Sequence, residues 1–148
     1  MNRTFDLSRR DAMLLLGLAA ARAPFGTAFA AISEDEWAKI LPSKAPAQPK
    51  KLRRLLVFGK NVDYGNGHSS IPVANQAFTL MGKKTGAFET VISNDPQMFQ
   101  PATLKTFDAV FLNNTVGNLF TDPALRKSLL EFVTGGGGLM GEIGRAHV

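Results

Sequence analysis

The sequence predicts an α/β protein with an open, mostly parallel sheet and helices on both faces. Short apolar runs, each ended by glycine or a polar turn, alternate with segments whose apolar residues recur at helical spacing. The first pattern is typical of strands buried on both faces, and the second of amphipathic helices. Strands and helices that alternate along a chain form parallel sheets with right-handed crossovers. We expect a doubly wound sheet that is truncated after about four strands.

Four segments have the strand pattern. Residues 52–59 contain the apolar run 55–58 and end at a glycine, which indicates a buried first strand. Three further segments are rich in β-forming residues and follow in the chain at 88–92, at 107–112 and from Leu139 onward. We expect the spatial order 2-1-3-4.

Two longer segments have the helical pattern. The first follows Ser69 and Ser70, which are typical capping residues, and ends near Gly86. The second follows the sequence Thr-Asp-Pro at 121–123 and ends at the glycines of 135–138. Because this glycine run ends a helix and lacks the lysine of a phosphate-binding loop, it does not indicate phosphate binding.

The first thirty residues are organised as an export signal. Arg9 and Arg10 precede the apolar run 14–21, and Ala28 and Ala30 form a small-residue cleavage site. The run is shorter than the roughly 20 residues of a membrane span. Paired arginines after a serine resemble a twin-arginine signal, so we expect export by the twin-arginine machinery, cleavage after Ala30 and a periplasmic or extracellular location. The alternatives are an ordinary secretory signal or an uncleaved anchor.

Residues 31–50 have the composition of a linker, with three prolines among small and polar residues. Within them, Ser33 and Glu36 have the spacing of a capping box, which predicts one helical turn around Trp37. We expect Trp37 to pack on the domain surface.

The formal net charge of +5 includes a basic cluster immediately before the first strand, at 50–54. We interpret this cluster as a solvated start of the strand, because a nucleic-acid surface needs basic residues spread over one face with interleaved aromatics. The chain has no cysteine, which excludes disulfides, cysteine-ligated metals and a cysteine nucleophile.

A polar site is predicted where the first and third strands end. In doubly wound sheets, ligands bind beyond the carboxyl ends of the strands where the strand order reverses, which here is between these two strands. The loops there carry amide and hydroxyl groups suited to a polyhydroxylated ligand such as a sugar. The candidate ligand-binding residues are Asn61, Ser69, Ser70, Asn113, Asn114 and Thr115.

His68 is the only histidine before residue 142 and the candidate catalytic residue of this site. Histidine can act as a general base or as a metal ligand, and it can also serve as a structural residue that helps to cap the next helix. No cofactor is evident from the sequence. A metal completed by residues outside this chain is the alternative.

Four further motifs follow the first strand: Gly-His-Ser-Ser-Ile-Pro at 67–72, Ser-Asn-Asp-Pro at 93–96, Phe-Asp-Ala-Val at 107–110 and Phe-Val-Thr-Gly-Gly-Gly at 132–137. With these motifs, residues 55–140 resemble the ThuA-like (trehalose utilisation) domain of the class I glutamine-amidotransferase-like superfamily. The family usually has an arginine directly before the histidine, and this chain has a glycine there.

The resemblance implies a flavodoxin-like or amidotransferase-like fold and an exported carbohydrate-processing enzyme that acts on trehalose or a related or oxidised disaccharide. The alternative is a non-catalytic sugar-binding or accessory domain of a multidomain exported protein. Glutamine hydrolysis by the superfamily's cysteine route is excluded for the residues present, because none of them is a cysteine.

The last residues, 142–148, have a distinct origin in our interpretation. One reverse translation of them, GAG ATC GGA AGA GCA CAC GTC, resembles a sequencing adapter that was read as coding sequence. We therefore expect residues 51–141 to be the N-terminal part of the domain and the chain to be an inactive fragment of a larger protein. A natural, divergent C-terminus is the alternative.

Overall fold

The computed structural model describes residues 32–142, apart from Gln48, Tyr64 and Asn66. The predicted export signal, with Arg9, Arg10, Ala28 and Ala30, lies outside the described residues. The helices and strands, in chain order, are α1 (Glu34–Ile40), β1 (Arg53–Phe58), α2 (Ser70–Thr85), β2 (Phe88–Ser93), a 3-10 helix (Pro96–Phe99), α3 (Pro101–Leu104), β3 (Ala109–Asn113), α4 (Pro123–Thr134) and β4 (Gly138–Glu142).

The sheet is parallel throughout and has the strand order β2-β1-β3-β4. This order confirms the predicted open α/β sheet, which is consistent with a flavodoxin-like fold. The chain leaves β1 toward β2 on one side and later returns to place β3 on the other side. The strand order therefore reverses between β1 and β3, and their carboxyl ends lie side by side at one edge of the sheet.

The main core lies between the sheet and the helices α3 and α4. Its buried members come from β1, β3 and the segments between β2 and α4: Leu56, Phe58, Phe99, Leu104, Phe107, Val110, Phe120 and Leu125. The ring of Phe99 lies 4.8 Å from that of Phe58 and 4.6 Å from that of Phe120, in edge-to-face geometry. Burial of each such ring contributes about 1.5–3 kcal/mol. Packing on this face of the sheet therefore contributes strongly to the stability of the fold.

The opposite face of the sheet is covered by α2. The ring of Phe78 on α2 lies 4.5 Å from that of Phe111 on β3. Gly82 allows the helix to approach β2 closely, since a Cβ there would lie 2.5 Å from the carbonyl oxygen of Phe88. The helix ends at Gly86, as predicted, in the left-handed conformation that glycine adopts most readily.

The strands differ in how much of each one is buried. Residues 55–58 of β1 are all buried, which confirms the predicted buried strand. The edge strands are more open: Ile92 of β2 and Met140 of β4 are about half exposed. β3 begins at Ala109, two residues later than predicted, because Phe107 belongs to the turn that follows α3 and donates its amide proton to Leu104.

The segment predicted as a linker contains a helix that packs on α2. The capping box at Ser33 and Glu36 is present, and the amide and hydroxyl of Ser33 lower the pKa of the Glu36 carboxyl by donating to it. Trp37 is buried, and the ammonium of Lys84 donates to the carbonyl oxygens of Ala38 and Leu41 at 2.8 and 3.0 Å. A cation at this end of α1 satisfies carbonyls that the helix itself leaves unpaired.

The basic cluster at the start of β1 is paired with Asp108. This carboxylate lies 2.7 Å from the ammonium of Lys51 and 2.8 Å from the guanidinium of Arg53, and it accepts the amide proton of Arg54 at 2.9 Å. Lys51, Arg53 and the Arg54 amide, in that order of effect, hold the pKa of Asp108 well below its usual range. Part of the positive charge therefore serves to tie β1 to the start of β3.

Within residues 32–142, no helix combines the length and the apolar character that crossing a bilayer requires.

Candidate functional site

The loops that follow β1 and β3 are joined beyond the ends of the strands. Val62 donates its amide proton to Val116 at 2.9 Å, and Val116 donates to Lys60 at 3.4 Å. Asn61 and Val116 thereby form a further parallel bridge. Gly117 permits the close approach, since a Cβ there would lie 2.7 Å from the carbonyl oxygen of Val62. The two predicted site loops thus lie side by side on one end of the sheet.

Asn113, the last residue of β3, anchors the start of α2. It has no exposed surface, and its side-chain amide donates to the carbonyl oxygen of Ile71 at 3.1 Å and to the side-chain oxygen of Asn75 at 3.0 Å. The side-chain oxygen of Asn113 accepts a hydrogen bond from the side-chain amide of Asn114 at 3.2 Å. The side chain of Asn113 is therefore committed to protein partners, and it fixes where the residues before α2 lie.

Asn114 connects the β3 loop to the first residue of α2. Its side-chain nitrogen lies 3.2 Å from the hydroxyl of Ser70. Its backbone has a φ of 48°, in the left-handed region that asparagine tolerates better than most residues. This conformation ends the strand and turns the side chain back toward α2. The expected meeting of the two loops is confirmed at this contact.

Glu142 also lies near this contact. One of its carboxylate oxygens is 3.2 Å from the nitrogen of Asn114, and the residue is the last of β4. A carboxylate from β4 therefore also reaches the polar junction at Asn114.

A cavity of about 320 Å³ opens at the end of β1, beside the junction of the two loops. It is lined by Gly59, Asn61, Gly67, His68, Ser69, Ile71 and Pro72. Three of the predicted site residues, Asn61, His68 and Ser69, therefore share one cavity. Its volume is at the lower end of the range typical of small-molecule sites.

His68 is half-buried and lies in the segment that leads into α2. Its carbonyl oxygen accepts the amide proton of Ile71 at 3.1 Å, so its backbone starts the helix while its side chain lines the cavity. The prediction that Ser69 caps α2 is wrong, because Ser69 itself has helical backbone angles and its side chain makes no capping hydrogen bond. Ser69 is exposed at the rim of the cavity. Thr115 is half-buried in the β3 loop, between Asn114 and the bridge at Val116.

Sequence reasoning missed Asn75, the partner of Asn113 on α2. A signal for the pair was present in the strand pattern. Side chains alternate between the faces of a strand, so Asn113 lies on the same face as Phe111, which packs against α2. In the part of the chain that the structure describes, no three His, Cys, Asp or Glu side chains are grouped closely enough to hold a metal ion.

The fold and the polar edge together define the class of protein: a doubly wound parallel α/β domain with its candidate site at the carboxyl ends of the two central strands. A family profile described as ThuA, trehalose utilisation, matches residues 54–144, which is more than half of the chain. The chain belongs to the ThuA family, and the resemblance predicted from its motifs is confirmed. The match covers the four strands, apart from Arg53 at the start of β1, and every described residue that lines the cavity. Curated proteins and solved structures gave no match.

Proposed function

We propose that the protein is exported and that it binds trehalose or a related or oxidised disaccharide in the cavity at the end of β1. Its family relates it to trehalose utilisation. The observation that carries the proposal is the contact between Asn114 and Ser70, which brings the β3 loop to the same edge as the cavity. Amides and hydroxyls on both sides of this junction can donate to and accept from sugar hydroxyls.

His68 is the residue of this cavity that suits catalysis. A histidine side chain can remove a proton from a sugar hydroxyl or return one to a leaving oxygen, and it is the side chain that most often does so in enzymes. Ser69, beside it in the cavity, can orient a hydroxyl group by hydrogen bonding. In this proposal His68 acts as the general base of a carbohydrate-processing reaction, which the parent protein completes with residues outside this chain. The chain itself binds the sugar without turning it over.

Calorimetric titration of trehalose into the 148-residue chain tests the binding step. We expect binding to the wild-type chain and a loss of about fivefold or more in affinity for His68→Ala, since a side-chain hydrogen bond is worth about 1 kcal/mol or more. The backbone contact of His68 with Ile71 is kept in this variant. Lys127→Ala, on the exposed side of α4, is the control and should bind as the wild type does.

Two results would contradict the proposal. Absence of trehalose binding at millimolar concentration would remove the sugar site. Binding in the chain together with no turnover by the protein encoded by the complete gene would support a non-catalytic sugar-binding or accessory domain instead.

Export through the twin-arginine machinery is tested separately. A reporter protein fused after residue 30 should reach the periplasm, and the double replacement Arg9→Lys with Arg10→Lys should retain it in the cytoplasm. Export of the doubly substituted fusion at the wild-type level would indicate an ordinary secretory signal.

A further inference from the structure

A second cavity, of about 350 Å³, lies between residues 42–46 and the end of α2. We call residues 42–46 the strap. The described lining of this cavity consists of Pro42, Lys44, Ala45 and Pro46 of the strap, Met81 and Thr85 of α2, and Ala87 and Phe88 where β2 begins. None of these residues lines the cavity of the proposed sugar site. The strap, which was predicted as part of a linker, therefore forms one wall of a separate cavity.

Contacts outside this cavity hold both of its walls. The ammonium of Lys84 donates to the carbonyl oxygen of Leu41 at 3.0 Å, which fixes the residue directly before the strap. Gly82 lets α2 lie against Phe88, since a Cβ at position 82 would be 3.0 Å from the ring. Ala45 has only a methyl side chain, which leaves the space between the walls open. The width of the cavity is therefore set by the fold.

The described lining offers few hydrogen-bonding groups to a ligand. Proline has no amide proton, so the two prolines of the strap supply no backbone donor. The hydroxyl of Thr85 donates to the carbonyl oxygen of Met81 at 2.8 Å and accepts the amide proton of Ala87 at 3.3 Å, so it is already paired. A polar group that lost its water here would find no replacement, which is unfavourable. The part of a ligand that enters the cavity must therefore be apolar.

Lys44 is the one charged residue of the described lining, and it is exposed. A lysine side chain can lie along an apolar wall with its stem and keep its ammonium in water at the rim. The ammonium has three donors and no acceptor, so it pairs with an anion. A ligand that fits both features has an apolar body and one negatively charged end.

We propose that the cavity under the strap binds a medium-chain alkyl carboxylate, with the chain against Met81 and Phe88 and the carboxylate on Lys44. An apolar cavity of about 150 Å³ holds benzene, so this larger cavity suits a chain on the order of ten carbon atoms. The inference concerns a second ligand and does not depend on the proposed sugar site.

Calorimetric titration of decanoate into the 148-residue chain tests the proposal. We expect the wild-type chain to bind decanoate and Ala45→Phe to lose this binding, because the added ring fills the cavity. Lys44→Gln keeps most of the side chain and removes the charge, so it should bind decanoate about fivefold more weakly, as expected for an exposed ion pair. Lys39→Gln removes an exposed lysine of α1 outside the described lining and is the matched control, which should bind as the wild type does.

The cation decyltrimethylammonium has the same chain and the opposite charge. It should bind the wild-type chain more weakly than decanoate does, and Lys44→Gln should reduce this difference. Equal affinity of the wild-type chain for both compounds would overturn the assignment of an anion.

Two other results would overturn the proposal. One is the absence of decanoate binding by the wild-type chain. The other is equal binding by the wild-type chain and a folded Ala45→Phe variant, which would place decanoate elsewhere on the chain. Ala45→Leu replaces the phenylalanine variant if thermal melting shows that Ala45→Phe does not fold. Either result leaves the proposed sugar site untouched, because the two cavities share no described lining residue.

Discussion

Replacement of Asn113 by alanine is expected to destabilise the domain strongly, although the residue follows the last apolar residue of β3. The side chain takes part in three hydrogen bonds, to Ile71, Asn75 and Asn114, and it has no exposed surface. Each such bond contributes about 0.5–1.5 kcal/mol net. Because the partners lie at a partly open edge, water can reach some of them in the variant. We expect a loss of about 2–4 kcal/mol, a large fraction of the stability typical of a domain.

The assay is urea denaturation followed by the fluorescence of Trp37, which is the only tryptophan of the chain and is buried. Asn94→Ala is the matched control, since Asn94 is likewise an asparagine at the carboxyl end of a strand, directly after β2, but is exposed. It should change the free energy of unfolding by less than about 0.5 kcal/mol. A double-mutant cycle of Asn113→Ala with Asn75→Ala should give a coupling energy of about 0.5–1.5 kcal/mol.

Two results would refute this reasoning. An effect of Asn113→Ala as small as that of Asn94→Ala would mean that the asparagine does not anchor α2. A coupling energy of zero with Asn75→Ala would mean that the two side chains are not bonded to each other.

Three further predictions concern the frame around the site. Asp108→Asn should lower the free energy of unfolding at pH 7 by about 0.5–2 kcal/mol, because exposed ion pairs are worth up to about 1 kcal/mol each. Its cationic partners lower the pKa of Asp108 in the folded state. The contribution of Asp108 to stability is therefore complete above the unfolded pKa of about 4 and is lost as the pH falls below it. Urea titrations that show the same difference in unfolding free energy between wild type and Asp108→Asn at pH 7 and at pH 2 would contradict this. Gly82→Ala should destabilise the protein by about 1–3 kcal/mol in thermal melts, because the added methyl would meet a backbone carbonyl of β2. This is the opposite of what the higher helix propensity of alanine alone predicts. A stabilised variant would show that the packing can relax. Lys84→Met should shift the emission of Trp37 to longer wavelength and lower the free energy of unfolding by about 0.5–1.5 kcal/mol, since the ammonium binds the end of α1. Lys83→Met is the control. Equal spectra for both variants would argue against the contact between Lys84 and α1.

Much of the fold could be predicted from local patterns. The buried first strand, the capped turn at Ser33, the end of α2 at Gly86 and the parallel order of the strands follow from apolar spacing and turn chemistry. The meeting of the site loops also follows, because the carboxyl ends of neighbouring parallel strands share an edge.

The details of the site were harder to predict from the sequence, because they depend on tertiary contacts. Asn113 and Asn114 are neighbours in sequence and have the same side chain, yet the first is turned into the protein to hold α2 and the second contacts Ser70. The difference comes from the left-handed backbone of Asn114, which no composition pattern indicates. Likewise, the packing of α1 depends on Lys84, far along the chain, and a proline-rich segment gives no sign of it.

The measurement that tests the central claim most directly is a nuclear magnetic resonance titration of the isotope-labelled chain with trehalose. Our account predicts that the amide signals of residues 59–62, 67–71 and 113–116 shift together and saturate at one ligand concentration, while those near Asp108, at the opposite end of the sheet, stay in place. Shifts confined to other regions, or signals of the two loops that titrate independently, would contradict a single sugar site at the carboxyl ends of β1 and β3.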